Sequence, residues 1–185
     1  MAILYGIKKA VITELGADGN AAASGTVIKF KTAEQAELEP VMSEGDEEIL
    51  RNAEQILAVV RTDDLLYGYD ITLKDNLFDP AIAGLVAGYK VTTGLENKVE
   101  KIATPMMKDG CIAKEFKLEL YVANYEGDAI VNYAKVTFNK CKGKFPSMTL
   151  GNEFFAPEFE IKARENSKAS LPIKEITFVE QLPAD

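Results

Sequence analysis

The side chains that could do chemistry in this sequence are mostly carboxylates, and they come in three tight groups. Glu44, Asp46, Glu47 and Glu48 lie within five residues, Asp63 adjoins Asp64, and Asp75, Asn76 and Asp79 fall within another five. Oxygen clusters of this kind hold hard cations. A calcium loop, however, sets its ligands at alternating positions around a glycine and closes with a distal bidentate glutamate. The run at 44–48 lacks that order and reads as a solvated acidic loop. Two carboxylates can also share acid–base work, but Asp63 and Asp64 on a strand would point to opposite faces, so they read as a turn. Asp75 and Asn76 read as a turn and Asp79 as a helix cap, without a metal. The expected complement is no metal and no cofactor.

The absences narrow the chemistry further. There is no histidine, which removes Ser-His-Asp and Cys-His nucleophile pairs, His-ligated zinc and imidazole proton transfer. No tryptophan is present to stack on a ligand. Cys111 and Cys141 stand 30 residues apart with no CxxC, a pattern that reads as two reduced, partly buried thiols. None of GxGxxG, GxxxxGK[ST] or HExxH occurs. With no catalytic constellation, the expectation is a protein that is not an enzyme.

Charge and length bound the rest. The 185 residues fit one domain, 1–185, large enough to bury a core. The 29 acidic against 21 basic residues give a net charge of -8, which repels a phosphate backbone and argues against reading nucleic acid. The same acidity suits a wall to which a polyanion does not stick. The start of the chain lacks the charged and long apolar regions of a signal peptide. The longest apolar run, 81–89, falls short of the about 20 residues a membrane helix needs. The expectation is synthesis in the cytoplasm and no membrane association.

The elements that would position these groups are chiefly strands. Phe116, Leu118, Leu120 and Val122 alternate with polar or small residues, as do Tyr69, Ile71 and Leu73, and Phe155, Pro157, Phe159 and Ile161. Residues 56–60, 136–138 and 173–179 are β-branched and apolar enough for strands, and Glu126-Gly127-Asp128 reads as a hairpin turn. One segment has helical spacing: Ile82, Leu85, Val86 and Tyr89, with Asp79 as N-cap, Pro80 at the first turn and Gly88 as stop. A helix of two turns is marginal alone, so Ile82, Leu85 and Val86 should pack on a sheet. Gly84 and Gly88 should let it come close. The fold expected is mainly β, a β-sandwich or flattened barrel with one short flanking helix at about 79–88. Mobile loops are expected near 17–25 and 40–48, and a C-terminal arm or strand at 165–185.

Residues 50–89 (LRNAEQILAVVRTDDLLYGYDITLKDNLFDPAIAGLVAGY) resemble the major tail, or tail tube, protein of long-tailed phages and prophages. The order that carries the likeness is an acidic loop, two apolar strands, Gly-Tyr-Asp-Ile-Thr-Leu at 68–73, Asp75-Asn76, and a helix from 79–80 to Gly88. Residues 152–166 (NEFFAPEFEIKAREN) are similar to a late strand of those proteins, so the likeness covers about half the chain.

That resemblance implies a β-sandwich with a flanking helix that builds hexameric rings, strands of neighbouring subunits joining into a barrel around a lumen. Rings would stack through loops and terminal arms and conduct DNA to the host as non-specific cargo. Partners would be further copies, with tape measure, tail terminator and distal tail proteins, in a phage tail assembled in the host cytoplasm. The loop Met42, Ser43, Glu44, Gly45, Asp46, Glu47 and Glu48 is the expected subunit contact. The polar faces of the strands at 69–74 and 116–123 are the expected channel lining. Two other readings stand beside this one: the inner tube of a contractile bacteriocin-like or secretion particle, and a monomeric β-sandwich binding or adhesion module.

Overall fold

Strands with one apolar face must bury it against another layer, and here one sheet does so by folding over on itself. The computed structural model describes residues 2–94, 98–106, 108, 113–144, 151–152 and 156–184. Their elements are β1 (Ile3–Glu14), β2 (Val27–Phe30), β3 (Ala33–Ser43), β4 (Glu47–Asn52), β5 (Gln55–Arg61), β6 (Leu65–Asp75), α1 (Pro80–Ala87), β7 (Lys90–Thr93), β8 (Val99–Ala103), β9 (Phe116–Glu126), β10 (Ala129–Gly143), β11 (Glu158–Arg164) and β12 (Lys174–Val179). The main sheet runs β2-β1-β9-β10-β11-β6-β3, with β12 also on β10, and all its pairings are antiparallel. It is open rather than closed, so of the two architectures expected the sandwich stands and the flattened barrel does not.

The long strand β10 is the pivot. Residues 133–138 pair with β12, while Cys141, Lys142 and Gly143 pair with Ala163, Lys162 and Ile161 of β11. One layer is therefore β2-β1-β9-β10-β12 and the other β11-β6-β3. Ile12, Leu118, Leu120 and Phe138 of the first meet Ile71, Leu73, Phe159 and Ile161 of the second in one buried cluster. The alternations at 69–74 and 116–123 are those of β6 and β9, as expected. Gly127 and Asp128 form the turn between β9 and β10, as expected. Pro157, Phe159 and Ile161 lie on or beside β11; Phe155 lies outside the described residues.

The helix forms where its spacing places it. Asp79 Oδ1 accepts from the Ala81 N–H at 2.7 Å, Pro80 opens the helix, and Gly88 closes it in the left-handed region at φ 73°. Ile82, Leu85 and Val86 are buried, and Ala83 and Ala87 with them. The close approach differs from the expectation. A Cβ on Gly143 of β10 would overlap the Val86 carbonyl oxygen, whereas one on Gly84 would meet its nearest atom, on Val91, at 3.4 Å. The sheet's glycine, not Gly84, lets helix and sheet meet.

The chain end folds back on the domain. After β12, residues 180–184 cross the outer face of the first layer. Lys9 Nζ donates to the Pro183 carbonyl at 2.8 Å, and Lys29 Nζ to that of Ala184 at 2.6 Å. The loop at 17–25 is irregular and tied down: Asn166 Nδ2 donates to the Gly19 carbonyl at 2.8 Å and Lys168 Nζ to that of Ala17 at 2.9 Å.

Candidate functional site

The feature that the core does not account for is a hairpin. Among the described residues β4 and β5 pair only with each other, Glu47 with Arg61, Ile49 with Val59, Leu50 with Ala58, and a bulge follows at Arg51. Every residue from 46 to 67 is exposed. Side chains alternate across a strand, so Ile49 and Val59 share one face while Leu50, Ala58 and Val60 share the other. Both faces are thus apolar and open, Leu50 at 59 % and Val60 at 64 % exposure. Met42, Leu65, Leu66 and Tyr67, where β3 and β6 run into the hairpin, are exposed as well. A lone two-stranded ribbon is marginal in water, and an exposed apolar patch of this kind marks an interaction surface.

The hairpin corrects the reading of 40–48 as a loop. Pro40, Val41, Met42 and Ser43 are the end of β3, with Met42 paired to Leu66 and Ser43 to Leu65. Glu44, Gly45 and Asp46 form the connection, and Glu47 and Glu48 begin β4. Pro40 suggested a break, but among the described residues β3 has a strand on one side only, where proline is tolerated. Gly45 is fixed in place. Its N–H donates to Asp64 Oδ1 at 2.8 Å, and a Cβ there would overlap the Thr62 carbonyl. The Asp46 N–H donates to Thr62 Oγ1 at 2.8 Å, and the Thr62 N–H to the Asp46 carbonyl at 3.0 Å. These bonds clamp the base of the hairpin and surround it with carboxylates.

Sequence reasoning named the acidic base and missed the shaft. Residues 56–60 form the expected strand, within β5, but its exposure was not part of that reading. Ile56, Leu57, Ala58, Val59 and Val60 are also apolar without interruption. In a strand that pattern requires cover on both faces, which two strands cannot supply.

Several titratable groups elsewhere are set by the fold. Asp75 is buried, its Oδ1 accepting from the Leu77 N–H at 3.3 Å, while its Oδ2 finds no hydrogen bond among the described residues. Asp70 Oδ1 lies 3.6 Å from Arg164 Nη1, within ion-pair reach but too long for a hydrogen bond. Burial pushes the Cys141 thiol far above its ordinary value; Cys111 lies outside the described residues. The Lys144 ammonium, 2.8 Å from Glu160, holds that carboxyl below its ordinary value. Among the described residues no three His, Cys, Asp or Glu side chains are grouped to hold a metal ion. No helix of the described residues is long and apolar enough to cross a membrane.

A second charged feature lies where β10 meets β11. Lys140, Lys142, Lys144, Lys162 and Arg164 line an open cleft of about 440 Å³ with Glu115. No family model matches the chain, and no curated protein matches it.

Proposed function

We propose that this chain is a self-assembling structural protein, the subunit of a phage tail tube, whose stacked and hexameric rings pass DNA to the host. The observation that carries the reading is the hairpin of β4 and β5, apolar on both faces and exposed throughout. A surface like this needs a second molecule to cover it. The edges add support. Among the described residues β3 runs for eleven residues with a partner on one side only, and β2 and β12 are also edges. Exposed edges are a liability for a lone domain, and ring closure would use them. The resemblance at 50–89 and 152–166 suggests the particular assembly, and with it the tape measure, terminator and distal tail proteins as partners in the virion.

The test changes the hairpin alone. Leu50→Lys with Val60→Lys places charge on one exposed face without touching the core cluster. The native chain should sediment as rings or longer assemblies at high concentration. The variant should keep its melting temperature and remain monomeric. A variant that assembles like the native chain would remove the hairpin from the account.

A further inference from the structure

The base of the hairpin and the cleft at β10 and β11 are of opposite charge, and neither is neutralised by the other within one chain. Residues 44–64 hold seven carboxylates against two arginines, Arg51 and Arg61, a net of -5. Among the described residues the one ion pair there is Arg61 with Asp64 at 3.9 Å, so Glu44, Glu47 and Glu48 have no cation. The cleft gathers five cations, and three carboxylates, Glu115, Glu160 and Asp70, lie against four of them, a net of +2. Lys140 pairs with Glu115 at 3.4 Å, Lys144 with Glu160 at 2.8 Å, and Lys162 and Arg164 share Asp70. Lys142, exposed and in register with Lys162, makes no ion pair among the described residues.

Resting on the assembly reading, we infer that the acidic base of the β4–β5 hairpin in one copy docks in the basic cleft of the next copy. Charge complementarity is what selects this occupant. The hairpin is acidic around an apolar shaft, and the cleft offers cations whose aliphatic stems can cover apolar surface. The contact joins two different surfaces of one chain, so each docked copy leaves a free hairpin and a free cleft. That geometry propagates into a ring or a filament rather than stopping at a dimer. It also gives the acids around Gly45 a role that the fold itself does not require.

The experiment is a charge swap read by sedimentation. One variant carries Glu47→Lys with Glu48→Lys, the other Lys140→Glu with Lys142→Glu. All four side chains lie outside the core cluster, so circular dichroism and melting should match the native chain. Each variant alone should lose assembly at concentrations where the native chain assembles. An equal mixture should regain it, because the basic hairpin fits the acidic cleft and the acidic hairpin fits the native one. The milder Lys142→Gln should raise the concentration for assembly by roughly tenfold, and salt should weaken native assembly. If the native chain assembles and the cleft variant does so equally, or the mixture fails, this pairing is overturned while the assembly reading stands. A native chain that never assembles overturns both.

Discussion

Cys141 illustrates how much of a side chain's behaviour is set by where the strand puts it. It faces the core on β10, and desolvation disfavours its thiolate. A thiol reagent should therefore leave Cys141 unmodified in the native chain and modify it on unfolding, as mass spectrometry of the labelled peptide would show. Rapid labelling of Cys141 in the folded state would contradict the packing. Glu14 is the opposite case. The Lys114 Nζ at 2.6 Å, with the Thr26 N–H at 3.1 Å, holds its carboxyl below its ordinary value of 4.5. A carboxyl lowered by folding contributes stability that is present above its unfolded value and is lost as pH falls through the folded one. Glu14→Gln should cost under about 1 kcal/mol at pH 7, and the gap should close in acid. Urea midpoints at both pH values check this; a gap that widens in acid would contradict it.

The helix and the hairpin show what alternation and capping reveal about an element, and what they leave out. Leu85 is buried under α1, so Leu85→Ala should cost about 2–5 kcal/mol in denaturant unfolding. Gly143→Ala should cost about 1–3 kcal/mol, because its methyl would displace the Val86 carbonyl and the helix with it. A cost below about half a kcal/mol for Leu85→Ala would place the helix in solvent. The helix was legible because its cap, proline, apolar spacing and terminal glycine are all local. Strands β6, β9 and β11 were legible for the same reason: their apolar residues alternate along a few positions. The glycine that admits the helix was not, since Gly143 is 57 residues beyond Val86 and its role exists only across the sheet. The hairpin was half legible. Its acids stand out in sequence, but Pro40 and Gly45 look like loop residues until the β3–β6 ladder and the Thr62 contact are known. The exposure of 56–60 depends on no third strand arriving among the described residues, which no local pattern records.

For the molecule as a whole, the sandwich separates two surfaces that were expected to share one channel. The apolar residues of β6 and β9 enter the same core, so their polar faces point away from each other. They cannot both line a single lumen. The outer face of β3, β6 and β11 presents Glu37, Glu39, Asp70, Glu158 and Glu160 against Lys74, Lys162 and Arg164. Lys74 and Lys162 are each within reach of a carboxylate, Glu34 at 3.0 Å and Asp70 at 3.9 Å, which leaves them less available to a passing phosphate. The outer face of β9 and β10 instead holds Lys117 and Lys135 on the single Glu119 and continues to Lys9 and Lys29 under residues 180–184. On the proposed tail-tube reading, the part of the first face at β3 and β6, away from the cleft at β10 and β11, is the one suited to a channel that carries DNA without binding it. Whether any such channel forms is decided by electron microscopy of the purified native chain over a concentration series reaching the millimolar range. Rings or tubes with a central hole are the predicted result. A strictly monomeric particle at every concentration and salt condition would contradict it.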